Sequence, residues 1–214
     1  MKQILINASQ REELRLAIVE NNKLIELDID LPSKNIKSNI YKGTISRVEP
    51  SLEAAFVNFG RTRHGFLPFK EISPDIFTAG KSKSARDCIE QGKEIVVQID
   101  KEERGTKGAA LSTYLSLAGK YLVLLPRNPN TGGVSRRLEG NDRLAAKKLL
   151  NDINVPEGMS VILRTSGLDT TKDTLEWDMN YLIQIFESIL ENSVLKKAPF
   201  LIYEESSMLA RVVR

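Results

Sequence analysis

The spacing of apolar residues along this chain changes twice, and the changes divide it into three stretches. At the N-terminus "KQILIN" alternates apolar with polar, and "LRLAIVENNKLIELDI" carries two apolar runs on either side of Glu20-Asn21-Asn22. Period-two alternation predicts strands, and the asparagines suit a hairpin turn. Two or three strands cannot bury a face alone, so this piece is expected to need a partner. The segment "DLPSKNIKSN" over 30–39 breaks the pattern with Pro, Ser, Asn and Lys and reads as a boundary. Five short runs follow: "IYKGTISRVE", "LEAAFVNFG", "HGFLPF", "EIVVQIDKE" and "AALSTYLS". Strands this short, between Gly, Pro and charged breaks, predict a small closed β-barrel of the OB type. A polar insertion, "SPDIFTAGKSKSARDCIEQGK", is expected to hold a loop and a short helix over 85–91.

Past residue 118 helical spacing enters. "KYLVLLP" predicts a strand ending at Pro126, and a Pro/Asn/Gly-rich turn over 126–133 leads to "VSRRLEG", a further strand on which Arg136 and Arg137 should point oppositely. "NDRLAAKKLLNDI" predicts a helix capped by Asn141 or Asp142, with Leu144, Leu149, Leu150 and Ile153 largely on one face. "VILRTSG" is an apolar strand with a polar, cationic tip. A long helix over 171–196 follows, its stripe formed by Leu175, Met179, Leu182, Ile183, Ile185, Phe186, Ile189 and Leu190. Trp177 on this helix is read as a packing residue rather than a base platform. The final "FLIYEESSMLARVVR" looks like a fresh strand and helix, so the chain is expected to be the front part of a longer one.

Composition narrows the chemistry. The 214 residues are 41% hydrophobic and 28% charged, with a formal charge of only +3, so nucleic-acid binding would have to come from a localised basic face. One Cys rules out an internal disulfide, and one His makes His-based metal sites and Ser-His-Asp catalysis unattractive. There is no signal-peptide pattern at the N-terminus and no apolar run of membrane-spanning length, so a reducing, cytoplasmic setting is expected. Asp100, Glu102 and Glu103 are interspersed with Lys101 and Arg104 and read as a solvated turn. No catalytic constellation and no metal site is found.

Two clusters remain. In the barrel, Tyr41, Phe56, Phe59, Phe66 and Phe69 interleave with Lys42, Arg61, Arg63, His64 and Lys70. Such rings either fill a barrel interior or stand outside as stacking platforms for unpaired bases. Phe56 and Phe59, three apart, cannot share a face of one regular strand. Lys107, in the Gly-flanked "ERGTKG", is either a solvated loop lysine or a phosphate contact along the same groove. The second cluster is the tip of "VILRTSG" with one of Arg136 and Arg137. A guanidinium fork, two hydroxyls and flexible backbone suit a phosphate, and they also describe an ordinary strand end.

The stretches "NIYKGTISRVEPSLEAAFVNFGRTRHGFLP" and "VQIDKEERGTKGAALSTYLSLAGKYLVLLP" resemble the N-terminal region of the ribonuclease E/G family, and the resemblance runs the length of the chain. It implies an α+β multidomain fold. Residues 1–36 would open a split ribonuclease-H-like domain, 37–118 would be an inserted OB-fold RNA-binding barrel, and 119–214 an α/β 5′-sensor domain. It also implies an endoribonuclease for single-stranded, AU-rich RNA, stimulated by a 5′-monophosphate and working in mRNA decay and in rRNA and tRNA processing. By resemblance Arg164 and Thr165 match the phosphate-gripping pair, with Val123 (through its backbone) and Arg136 beside them. Phe56 and Phe66 match RNA-contacting aromatics, with Phe59 and Lys107 as weaker matches; Phe59 stands where the family usually has Tyr, so that hydroxyl is missing. The magnesium-binding aspartates and zinc-linking cysteines of the family would lie beyond residue 214, as would most contacts of the homotetramer and the RNA-decay assembly. An inner-membrane association is left open for longer members. This chain would then bind RNA, with no DNA specificity, and cut nothing. The alternatives are a free-standing RNA-binding or chaperone module indifferent to the 5′ end, and a purely structural piece.

Overall fold

The computed structural model describes residues 2–10, 13–30, 36–78, 89–129 and 131–205. The chain divides into two compact units, Met1–Lys37 with Glu205–Arg214, and Ser38–Glu204. In the first, β1 (Lys2–Gln10), β2 (Glu13–Glu20) and β3 (Lys23–Asp30) form an antiparallel sheet in that order. Asn21 and Asn22 turn the β2–β3 hairpin at φ 50° and 62°, the left-handed values that a two-residue hairpin loop needs. Ile4, Leu5 and Ile6 of β1 and Leu24 and Ile25 of β3 are all about half exposed. Neighbouring strand residues point to opposite faces, so both faces of this sheet carry exposed apolar side chains.

The second unit begins with the barrel. Strands β4 (Ile40–Glu49), β5 (Ala54–Asn58), β6 (Gly65–Pro68), β7 (Glu94–Lys101) and β8 (Ala110–Ser112) coincide with the five apolar runs. They pair in the order β4-β5-β6-β8-β7, and β7 returns to β4, which closes the cylinder. Ile45, Val57, Leu67, Ile99 and Leu111 fill it. Gly65 is required there, because a Cβ on it would lie 2.4 Å from Leu111 Cδ1. The insertion starts with a one-turn helix, α1 (Asp75–Thr78). Of the helix expected over 85–91, residues 85–88 lie outside the described residues, and 89–91 are not helical.

The chain then builds a four-stranded sheet, β11 (Gly133–Val134), β12 (Met159–Leu163), β10 (Leu122–Pro126) and β9 (Leu117–Ala118), in that spatial order. β11 and β12 are parallel and are connected through helix α2 (Gly140–Asn151), as a parallel pair requires a crossover. Helix α3 (Lys172–Leu195) is N-capped by Thr171, whose side chain accepts from Thr174 N. Its stripe of Leu175, Met179, Leu182, Phe186 and Ile189 is buried in one cluster with Leu122, Leu124, Val161 and Leu163. Finally β13 (Phe200–Tyr203) pairs with the first half of β4. Lys42 fastens that return: its Nζ meets Glu94 Oε2 at 2.6 Å and donates to the Lys196 carbonyl at 2.9 Å. This contact, with the Ala198 N–H on Oε1, holds the Glu94 carboxyl below its ordinary range.

Several sequence expectations are corrected. The N-cap position of α2 is Glu139, which makes no side-chain capping bond, so Asn141 and Asp142 lie within its first turn. Ala146 is its buried residue, Leu149 and Leu150 pack half-buried against the same core and Ile153 just beyond it is buried, so of the expected face only Leu144, 60% exposed, turns away. Arg136 and Arg137 are not on a strand. β11 stops at Val134, and the chain turns as Ser135 O accepts from Leu138 N and Ser135 Oγ from Arg137 N. Trp177 does not pack inward. It lies two residues off the buried stripe, roughly 200° round the helix, is 66% exposed and stacks on Tyr181 at 6.0 Å.

Candidate nucleic-acid interface

The barrel wall carries the first constellation. Strand alternation sends Ala55 and Val57 inward and Phe56 outward, and on β6 it sends Leu67 inward and Phe66 outward. Phe56 and Phe66 are direct cross-strand partners, their rings edge to face at 5.9 Å between centroids. Both are half buried, so each leaves ring surface to solvent. Phe59 is different. It is 1% exposed and packs edge-on against Tyr41 at 5.2 Å, so it offers no face to a base. The reading of Phe59 as an RNA contact is therefore corrected: position 59 falls on the inward beat of the alternation, and the ring belongs to the core.

Arg47 was not among the candidates from sequence, yet its guanidinium carbon lies 4.8 Å from the centre of the Phe56 ring. The cause is a bulge in β4. Ile45 faces Val57 and Arg47 faces Phe56, so two steps on β4 match one on β5, with Ser46 as the extra residue. Bulges re-aim side chains in this way and leave no clear mark in a sequence. Ser46 Oγ is in turn tied to the Phe56 carbonyl at 3.0 Å and lies 2.8 Å from His64 Nδ1.

Lys107 stands at the end of a tight hairpin, where Arg104 and Lys107 exchange backbone hydrogen bonds of 3.2 and 3.1 Å around Gly105. Arg63 donates to the Gly105 carbonyl. A Cβ on Gly108 would fall 2.1 Å from His64 O, so the hairpin lies directly on the 63–65 backbone that leads into Phe66. Arg61, Arg63, His64, Arg104 and Lys107 are all exposed along these joined loops. Lys70 is exposed after β6, whereas Lys42 is engaged by Glu94.

The second constellation is the tip of β12. Its strand pairs with β10 on one side and β11 on the other. Leu122 faces Leu163 and Val123 faces Ile162, and Ser135 N donates to Leu163 O at 2.9 Å. Arg164 and Thr165, Val123, and the start of the Arg136–Arg137 turn therefore meet at one end of one sheet. Thr165 and Arg136 are exposed, while Arg164 and Val123 are half buried. The Arg164 side chain is held by the Gly119 carbonyl through Nη1, and its backbone N–H by the Tyr121 carbonyl at 2.8 Å. Ser166 Oγ donates to the Lys120 carbonyl at 2.7 Å. A guanidinium bound on one edge keeps its remaining N–H groups for another acceptor, in a fixed plane.

Among the described residues no group of three or more His, Cys, Asp or Glu side chains is arranged to hold a metal ion. No described helix is long and apolar enough to cross a membrane.

A closed OB-type barrel with an aromatic–cationic wall, followed by an α/β segment with a cationic strand end, defines a class of nucleic-acid-binding architecture. Comparison with known families agrees: residues 34–114 match the S1 RNA binding domain, and residues 116–214 match the Ribonuclease E/G family. The chain belongs to that family. It is 51% identical over its full length to the N-terminal part of Ribonuclease E of Escherichia coli (strain K12), and 50% identical to Ribonuclease E of Haemophilus influenzae. Ribonuclease G of Haemophilus influenzae is 32% identical over 99% of the chain. The chain spans 21% and 23% of the two Ribonuclease E relatives and 44% of the Ribonuclease G relative.

Proposed function

We propose that this chain is the RNA-binding and 5′-monophosphate-sensing part of an endoribonuclease acting on single-stranded, AU-rich RNA. The observation that carries the reading is the tip of β12, where Arg164 is anchored on two backbone carbonyls beside Thr165, Val123 and the Arg136 turn. A terminal monophosphate has more charge and more free oxygens than an internal diester, and a pre-aimed guanidinium with a neighbouring hydroxyl selects for that difference. A 5′-hydroxyl end leaves these donors without an acceptor. Meanwhile Phe56 and Phe66 stack unpaired bases and Arg47, Lys107 and the 61–64 loop follow the backbone, without demanding sequence. The S1 match over the barrel supports the barrel's share of this reading.

On this reading residues 1–36 open a split ribonuclease-H-like domain, 37–118 form the barrel and 119–214 the sensor. The exposed apolar side chains on both faces of the β1–β3 sheet suit one layer of a larger domain. Bond cleavage, the magnesium and zinc that serve it, the homotetramer and the RNA-decay partners are assigned to the rest of the longer relatives, so this chain holds RNA without cutting it. Its place would be the cytoplasm, in mRNA decay and in rRNA and tRNA processing.

The test is fluorescence anisotropy with a short 3′-labelled AU-rich RNA bearing either a 5′-monophosphate or a 5′-hydroxyl. Tighter binding of the monophosphate that Arg164→Ala abolishes is the expected result. Equal binding, with Arg164→Ala silent, would leave an RNA-binding barrel indifferent to the 5′ end. Cleavage of either RNA by the chain with magnesium would refute the assignment of catalysis elsewhere.

A further inference from the structure

Asp178 of α3 is a carboxylate at 2% exposure with no ion-pair partner among the described residues. Its Oδ2 accepts from Tyr121 N at 2.8 Å and Leu122 N at 2.9 Å, and its Oδ1 from Lys120 N at 3.2 Å. Those three N–H groups belong to three consecutive peptide units, and the carbonyls of the same units are those of Gly119, Lys120 and Tyr121. In a planar trans peptide the C=O points opposite to the N–H, so fixing one end aims the other. The three carbonyls are the ones that hold Arg164 Nη1, Ser166 Oγ and Arg164 N. One buried carboxylate thus orients three peptide planes, a concave row of N–H groups around an anion, and their convex side grips the tip of β12. Gly119 belongs to the same device: a Cβ there would lie 2.6 Å from Asp178 Oδ2.

We propose that Asp178 is the positioning residue of the sensor: without touching RNA it sets the aim of Arg164, and so the preference for a 5′-monophosphate. This rests on the sensor reading of the tip. Asp178→Asn keeps the shape, but with the amide oxygen on the Tyr121 and Leu122 N–H groups its NH2 faces the Lys120 N–H, so the peptide plane whose Gly119 carbonyl holds Arg164 Nη1 loses its anchor. The experiment compares the unaltered chain, Asp178→Asn, Gly119→Ala and Arg164→Ala for binding of the 3′-labelled RNA with each 5′ end. Circular dichroism and the thermal midpoint report folding.

The expected result is a monophosphate-over-hydroxyl preference that falls by roughly tenfold or more in Asp178→Asn, to the level of Arg164→Ala. The hydroxyl RNA, held by the barrel wall, keeps its affinity. A merely structural role would weaken both RNAs alike and leave the ratio intact, and that outcome overturns the proposal. Should Asp178→Asn not fold, Gly119→Ala, which displaces the same carboxylate by steric contact, must lower the ratio, and an unchanged ratio again overturns it. If the unaltered chain binds both RNAs equally, the sensor reading itself fails and the proposal falls with it. A preference lost in Arg164→Ala but kept in Asp178→Asn removes Asp178 alone.

Discussion

The barrel wall and the tip of β12 both present an arginine, but they hold it by different means. Arg47 lies exposed over the Phe56 ring with Glu49 3.8 Å away. An exposed cation–π contact contributes only about 0.5–1 kcal/mol, so this guanidinium is free to yield the ring to a base and follow the phosphate backbone. Arg164 is tied to two carbonyls whose own peptide planes are fixed from α3. A loosely held cation on an aromatic wall suits tolerant binding along a strand, and a rigid one at a sheet end suits discrimination of a single terminal group. The contrast is one of preorganisation: the entropy of ordering Arg164 is settled when the protein folds, whereas that of Arg47 is lost on binding.

The sharpest separation is between ring face and ring core. Phe59→Ala is expected to destabilise the second unit by about 3–5 kcal/mol, measured by urea unfolding. If Phe59 instead acted as a platform, stability would hold and RNA affinity would fall. Phe56→Ala should do the reverse, weakening RNA binding by about 1–3 kcal/mol with both 5′ ends affected equally. A change in the monophosphate-to-hydroxyl ratio would show that wall and tip are not separable. Ser166→Ala removes the hydrogen bond to Lys120 O and is expected to lower that ratio several-fold, at about 1 kcal/mol, without moving the affinity for the hydroxyl RNA.

Salt provides a gentler probe. Arg47→Gln and Lys107→Gln should each reduce the slope of log affinity against log salt by roughly 0.7 per lost phosphate contact, with no effect on end preference. The smallest effect concerns the strut at β13. Glu94 has a lowered carboxyl pKa in the folded chain, chiefly from Lys42. Its stabilising contribution is therefore present above the ordinary Glu range, near about 4.3, and is lost as pH falls through the lowered folded value. Glu94→Gln should flatten the acid side of the stability–pH curve, seen as a smaller drop of the thermal midpoint between neutral and acid pH.

Much of the wall was legible in advance. Period-two alternation marks β5 and β6, and the three-residue offset puts Phe56 and Phe59 on different faces, but spacing alone leaves open which rings fill the barrel and which stand outside. Arg47 escaped because the bulge at Ser46 shifts the register by one, and a register shift has no local sequence signature. At the tip, the apolar run ending in Arg164 was visible, as was the buried stripe of α3. Placing Arg136 on a strand failed because Ser135 closes a turn with its own carbonyl and hydroxyl, a local bond that outcompetes extension of β11.

The sequence by itself determined the strands, the long amphipathic helix and the candidates, since these depend on spacing within a few residues of one another. Tertiary structure alone decided which arginine rests on an exposed ring and which is held by backbone carbonyls. Asp178 lies 56 residues after Leu122 in the chain, and nothing in "EWDMN" distinguishes a buried acceptor from a solvated acid. Only when α3 packs its apolar stripe on β10 does that carboxylate reach three peptide N–H groups, because hydrogen bonds of this kind are set by the approach of whole elements rather than by the residues that make them.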